Sequence, residues 1–136
     1  MSAATPAVIP GRGWSSPIVW DDRVFVTTAV NAVTNEPSKK GLYLGGERPN
    51  APRPEHEWKA VCLELSSGKV RWERVVHRGE PPGPKHLKNS YASETPVTDG
   101  ERVYVCMGNV GVFCLDLDGR EVWSKPLEPH KTRMGW

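Results

Sequence analysis

The sequence lacks any long hydrophobic run. No apolar stretch approaches the roughly 20 residues that a helix needs to cross a bilayer, so we expect no transmembrane segment. The N-terminal stretch MSAATPAVIPGRGW also lacks the basic and apolar regions of a secretory signal. Either the chain remains in the cytosol, or the natural N-terminus lies upstream of this Met1.

A block of one charge sign is also missing. The chain carries 18 basic and 16 acidic residues, which are mixed along its length and leave a net charge of +2. Proteins that follow nucleic-acid phosphates concentrate their basic residues in a patch or stripe. The sequence therefore predicts no nucleic-acid partner.

Cysteine is sparse, and the three that occur cannot all pair within one chain. Cys62 and Cys114 hold the same place in two similar phrases, which favours a packing role for both. A bridge from Cys106 to Cys114 across a hairpin is the alternative. The four histidines show no metal-ligand spacing such as H-x-x-x-H and all fall in predicted loops, so we expect no metal site.

What the sequence has in quantity is glycine and proline, thirteen of each. They separate short runs rich in Val, Thr, Trp and Tyr, a pattern typical of strands joined by turns. We therefore predict an all-β chain with almost no helix.

The chain also repeats itself. CLELSSGKVRW begins at Cys62 and CLDLDGREVW at Cys114, and recurrence of this kind marks repeated supersecondary units. Upstream, residues 15–26 and 94–105 align without a gap at an offset of 79, whereas the phrases align at 51 or 52. The first copy therefore contains 27 to 28 extra residues, which fall between Val30 and Trp58.

Each copy predicts four short strands. They are residues 16–20, 23–30, 58–65 and 69–76 in the first copy, and 94–98, 102–107, 110–116 and 120–125 in the second. Connections this short produce an antiparallel meander. A four-stranded meander that repeats every 40 to 50 residues or so is typical of a β-propeller blade.

We therefore expect residues 1–136 to be part of a β-propeller. Blade one covers about 14–76 with an inserted loop at 31–58, blade two covers about 92–125, and a third blade starts at 133–136, where MGW echoes RGW at 12–14. Two blades leave sheet edges and faces exposed, so the chain is expected to be a segment of a ring of about seven or eight blades. Its partners would be the remaining blades of that ring, and expression alone would give aggregation or weakly cooperative unfolding.

The repeated phrase resembles the quinoprotein-like (PQQ-type) propeller repeat, whose blades end in a pattern close to A-x-D-x-x-T-G-K-x-x-W. The first copy matches with conservative changes at its first three positions: Cys62, Glu64, Ser67, Gly68, Lys69 and Trp72. The second copy is one residue short before its glycine and supplies Cys114, Asp116, Gly119, Arg120 and Trp123. The resemblance covers both blades, and it implies that Trp72 and Trp123 dock between adjacent blades.

The residues around the glycines predict a structural role for this signature. Gly68 and Gly119 supply the positive φ that a tight turn requires. Glu64 and Asp116 directly precede the turn, where a carboxylate accepts backbone amides. An acid or metal-ligand role for these two carboxylates is the functional alternative.

The resemblance also raises an enzymatic possibility. Quinoprotein dehydrogenases of this kind hold their quinone with an adjacent pair of cysteines and a tryptophan, and Ca²⁺ with Glu, Asn and Asp. The chain has no Cys-Cys pair and no recognisable calcium loop, so we expect no catalytic, cofactor-binding or metal-binding residue in it.

The function that we expect is a non-enzymatic scaffold that binds protein or polymer partners, similar to the BamB-type scaffold of bacterial outer-membrane assembly. The alternatives are part of a PQQ-dependent oxidoreductase, or a glycan-binding propeller. By resemblance, the full-length protein would be periplasmic or secreted.

Two segments are candidates for binding. The first is KNSYASETP, which leads into the innermost strand of blade two. Its residues Asn89, Tyr91 and Glu94 are predicted to face the mouth of the axial channel. Arg12 and Arg133 are the predicted partners of Glu94. The alternative is that these groups shape a turn, pack on a neighbour and pair with an arginine. The second segment is the insertion at 31–59 with its apolar tip of Leu42, Tyr43 and Leu44, which is either a recognition loop or a decoration of the rim.

Overall fold

The structure, a computed structural model, describes residues 7–31, 54–82 and 90–128. Every regular element in these ranges is a β-strand, which confirms the all-β prediction. These ranges contain no helix that is long and apolar enough to cross a membrane.

The strands form two four-stranded sheets. The first sheet contains β1 (Ile18–Trp20), β2 (Arg23–Asn31), β3 (His56–Glu64) and β4 (Val70–Gly79). The second contains β5 (Val97–Thr98), β6 (Arg102–Met107), β7 (Gly111–Asp116) and β8 (Glu121–Pro126). In each sheet the strands lie in chain order and all neighbours are antiparallel, as the short predicted turns require.

The insertion in the first sheet is shorter than predicted. Pairing between β2 and β3 continues without interruption from Arg23 opposite Glu64 to Asn31 opposite His56. Asn31, His56 and Trp58 are therefore strand residues, and the connection is residues 32–55 rather than the predicted loop at 31–58. Its residues 32–53, including the apolar tip at 42–44, lie outside the described ranges.

Proline shortens the first strand of each sheet. β1 and β5 begin after Pro17 and Pro96, although the predicted strands began at 16 and 94. Proline has no N–H to donate to a ladder, so regular pairing begins only after it. The residues before each proline still form backbone hydrogen bonds. Arg12 pairs with Ala29 at the edge of β2, and the carbonyl of Ala92 accepts a hydrogen bond from Trp14 N.

Corresponding residues of the two sheets form equivalent rows across the strands. In the first sheet the row is Ile18, Phe25, Cys62 and Trp72, and in the second it is Val97, Tyr104, Cys114 and Trp123. The aromatic pair in each row has the same geometry, with ring centroids 6.1 Å apart in the first sheet and 6.2 Å in the second. We call the side of each sheet that carries this row its front face, and the opposite side its back face.

The front face of the first sheet packs on the back face of the second. Their buried side chains form one apolar cluster: Phe25, Ala29, Trp58, Ala60 and Cys62 from the first sheet, and Val103, Val105, Met107, Phe113 and Leu115 from the second. Because the front face of one sheet contacts the back face of the other, the two sheets stack in the same orientation and do not pack front to front.

Trp72 anchors this packing. Its Nε1–H donates to the carbonyl of Leu117 at 2.9 Å, in the turn between β7 and β8. A methyl group added at Gly119 would lie 2.7 Å from Cδ2 of the Trp72 ring, so the turn approaches the indole as closely as a glycine allows.

The lead-in segments before β1 and β5 join the sheets near their first strands. Trp14 N donates to the carbonyl of Ala92 at 2.9 Å, and Ser16 N donates to Thr95 Oγ1 at 3.0 Å. Ala92 is fully buried. Small residues at this position therefore allow the two segments to lie side by side.

The turn glycines have the backbone conformation that the sequence predicts. Gly68 has φ of 74° and Gly119 has φ of 85°. Asp116 Oδ1 accepts the amides of Asp118 and Arg120, each at 2.9 Å. Glu64 differs because its turn is one residue longer, and its Oε1 accepts the Ser67 hydroxyl at 2.8 Å instead of a backbone amide.

All three cysteines are free. Cys106 lies opposite Val112 and Cys114 opposite Tyr104, so the alternative bridge between the two cysteines is not formed. Cys62 and Cys114 are buried at the centre of their sheets, and burial raises the pKa of both thiols. Protonated, apolar thiols agree with the predicted packing role.

Candidate functional site

The longest connections leave the two sheets at one end. The β2 to β3 connection, residues 32–55, and the β4 to β5 connection, residues 80–96, emerge beside the turn between β6 and β7. We call this the long-loop end. The opposite end carries only the tight turns of the two meanders. Binding residues are concentrated on long loops held by a rigid scaffold, so the long-loop end is the candidate site.

Four aromatic rings lie close together at the long-loop end. His56 and Trp58 come from β3, His77 from β4, and Tyr91 from the lead-in segment of the second sheet. The His56 and Tyr91 ring centroids are 5.0 Å apart, and those of Trp58 and His77 are 5.3 Å apart. Trp58 is buried, and its Nε1–H donates to the carbonyl of Tyr91 at 3.0 Å.

These rings pack on one another and leave little space for a ligand. The cavity bounded by Trp58, Tyr91, Met107 and Val110 measures about 10 Å³, roughly the space of one water molecule. The aromatic cluster is therefore closely packed, and it does not offer an open platform for a sugar ring.

The histidines in this cluster correct the prediction that every histidine lies in a loop. His56 is buried in β3, and its Nδ1–H donates to the carbonyl of Pro54 at 2.6 Å. His77 lies in β4, and although its side chain is largely exposed, desolvation of its ring lowers its pKa. His86 and His130 lie outside the described ranges.

Glu94 is the second polar feature near this end. Burial raises the pKa of its carboxyl group, and hydrogen bonds from its own amide and the backbone amides of Ser93 and Gly108 act in the opposite direction. The ion pairs within the described ranges involve Lys59, Arg71 and Arg78 and do not include Glu94. A carboxyl group held by backbone amides fixes the β6 to β7 turn to the lead-in segment.

The structure brings two of the five predicted binding residues towards the long-loop end. Tyr91 packs in the aromatic cluster and Glu94 lies behind it on the same segment. Arg12 lies on the other lead-in segment, where its backbone pairs with Ala29. Asn89 and Arg133 are outside the described ranges.

Sequence reasoning missed His56, Trp58 and His77 as members of this site. The signal was present in the sequence, because HEWKAVCLE continues the strand pattern backwards from the repeated phrase, and VHRG continues β4 in the same way. The prediction ended these strands at the limits of similarity between the copies, and the first sheet is longer than the second.

The rest of the described chain shows no cluster of metal ligands. Within residues 7–31, 54–82 and 90–128 no group of three His, Cys, Asp or Glu side chains converges. Neither a scan of the chain against protein-family models nor a search among curated proteins finds a match.

Proposed function

We propose that the two sheets are successive blades of a quinoprotein-like β-propeller, and that this propeller is a non-enzymatic scaffold for protein or polymer partners. The observation that supports this proposal most strongly is the packing of front face on back face. Sheets that stack in one sense can continue with the same contact on either side, and that is how propeller blades surround an axis.

The contacts at the seam agree with the proposal. Trp72 spans from its own sheet to the next, at the position where the resemblance places a tryptophan between blades. The lead-in segments lie closest together at residues 14–16 and 92–95, where blades would converge on the axis of the ring.

A scaffold role is favoured by the division between the two ends of the sheets. At the tight-turn end, polar side chains such as Asp116 and Glu64 form hydrogen bonds within the turns themselves. The long-loop end combines long connections with a closely packed aromatic cluster. This is the arrangement in which a fixed framework presents loops to a macromolecular partner. No contact among the described residues specifically favours the oxidoreductase or the glycan-binding alternative.

An in-frame fusion tests the propeller part of the proposal. Residues 15–136 are appended directly after Trp136, because RMGW at the C-terminus echoes the RGW that precedes Ser15. We expect the Trp123 of the first unit to become protected from acrylamide quenching and the melting temperature to rise by several degrees. Unchanged quenching and melting, relative to the single chain, would contradict blade stacking.

Comparative capture tests the binding part. The intact chain and a variant with a shortened β2 to β3 connection are used as paired baits, after both are shown to fold by circular dichroism. The proposal expects at least one partner that the intact chain retains and the shortened variant loses. Identical recoveries from both baits would place binding elsewhere.

A further inference from the structure

We infer that separate copies of this chain associate head to tail, with the front face of the second sheet in one copy against the back face of the first sheet in the next. The inference rests on the proposed function, because it uses the same blade-to-blade contact, and it names a second copy of this chain as the partner.

The front face of the second sheet is open. Val97 and Trp123, at the two edges of its row, are 61% and 42% exposed. Their counterparts in the first sheet, Ile18 and Trp72, pack against the buried cluster between the sheets. The chain therefore contains the same surface twice, once covered and once uncovered.

The complementary surface lies on the back face of the first sheet, where the margins are exposed but Val61 and Leu63 are already buried within the chain, at 1% and 6% exposure. Val24 and Leu63 lie in one cross-strand row there, between Val19 and Val70. Val24 corresponds to Val103, and Leu63 to Leu115, and in the second sheet both of these are buried beneath the first sheet. Val19 and Val70, at the margins of the row, are 53% and 48% exposed.

The turn between β3 and β4, beside this back face, offers a position for Trp123 of another copy. Trp72 rests on a turn with a positive-φ glycine, and its indole binds the carbonyl of Leu117. The turn between β3 and β4 has the corresponding residues, Gly68 in the same backbone region and Leu65, which is exposed. Trp123 of one copy would lie on this turn of the next.

A cleft is open where the lead-in segment of the other copy would lie. It has a volume of about 240 Å³ and is bounded by Gly13, Ser15, Val26 and Thr27, among others. Gly13 and Ser15 correspond to Ala92 and Glu94, whose carbonyls accept hydrogen bonds from Trp14 N and Thr27 Oγ1 inside the chain. The cleft is thus the unfilled counterpart of the internal seam.

Some contacts of the internal seam have no counterpart, among them the hydrogen bond from Trp58 Nε1–H to the Tyr91 carbonyl, because Val110 takes the place of Trp58 in the second sheet. Trp20 lies on Gly100 inside the chain, whereas the corresponding residues between copies would be Asp99 and Asp21. Two carboxylates brought together weaken association, and hydrogen bonds keep the pKa of Asp99 low so that it stays ionised. We therefore expect association to be strengthened by added salt.

The test uses two variants with one blocked face each. Val97→Glu with Trp123→Glu blocks the front face, and Val19→Glu with Val70→Glu blocks the back face; all four positions are exposed on edge strands. Glu128→Lys, at an exposed position beyond the end of β8, is the control. Val97→Lys and Val70→Lys replace the double variants if either fails to fold by circular dichroism.

Mass is measured by light scattering over a concentration series. The wild type and the control should exceed the 15.1 kDa of one chain, each blocked variant alone should remain at that mass, and an equimolar mixture of the two should reach about twice that mass, since one intact pair of faces remains. A monomeric mixture, or association of either blocked variant alone, would overturn the head-to-tail arrangement.

The result also separates this inference from the proposed function. If the wild type is monomeric at every concentration while the fused chain protects Trp123, the occupant of the face is a further sheet of the same chain, and only the inference of self-association fails. If the fused chain gives no protection, the propeller proposal itself fails.

Discussion

Trp72 and Trp123 hold the same position in the repeated phrase, and their surroundings differ. Trp72 is partly buried against the second sheet and hydrogen-bonded to Leu117, whereas Trp123 is exposed on an open face. The two tryptophans therefore contribute unequally to stability, because the contribution of each depends on what covers its indole.

Truncation of these two tryptophans should have unequal effects on stability. We expect Trp72→Ala to lower the free energy of unfolding by about 2 to 4 kcal/mol, less than the loss of about 3 to 5 kcal/mol for a fully buried Trp because the indole is only partly buried. Trp123→Ala should cost less than about 1 kcal/mol, as surface substitutions do. Urea unfolding of both variants at low protein concentration measures the difference, and equal losses would show that Trp72 does not bridge the sheets.

His77 should make stability sensitive to acid. Its pKa in the folded chain is lowered from 6.5 by desolvation, so the unfolded chain binds the proton first as the pH falls below about 6.5. Its contribution to stability is present above that pH and is lost on acidification.

The raised pKa of Glu94 acts with the opposite sign, because the folded chain then holds its proton more tightly than the unfolded chain does. The comparison with His77→Gln isolates the histidine: the variant should lose less stability than the wild type between about pH 7 and pH 5.5. Parallel pH profiles of the two proteins would rule out this role for His77.

At the scale of the strands, the turns were predictable and the strand ends were less so. Asp-Gly and Ser-Gly pairs between alternating apolar runs located the tight turns, since few residues tolerate positive φ. The strand ends at the long-loop end followed from cross-strand pairing between Asn31 and His56, which depends on contacts far apart in the chain and leaves little local signal.

Shortening the β2 to β3 connection should leave the fold intact. Residues 32–53 are replaced by Gly-Asn-Gly-Ser, which keeps Pro54 and its bond to His56. A shorter loop costs less closure entropy, so stability should stay the same or rise by about 1 kcal/mol. Thermal unfolding measures this, and a variant that fails to fold would show that the connection is part of the core.

At the scale of the whole chain, repetition accounts for the architecture. The repeat predicted two equivalent meanders, and the structure has two sheets with equivalent cross-strand rows that pack front face on back face. The candidate site followed less directly from the sequence, because the aromatic cluster joins β3, β4 and the second lead-in segment. Those residues belong to no shared motif and meet only through the fold.

The most direct measurement of front-to-back packing is the NMR contact between the Trp72 indole and Gly119 in the dilute chain. A glycine held against the ring face should show nuclear Overhauser effects to the indole protons and strongly upfield Hα shifts. Trp123 and Gly68, the same pair at the open faces, should show neither. If the Trp72 and Gly119 contact is absent, or if both pairs behave alike, the two sheets do not pack as described.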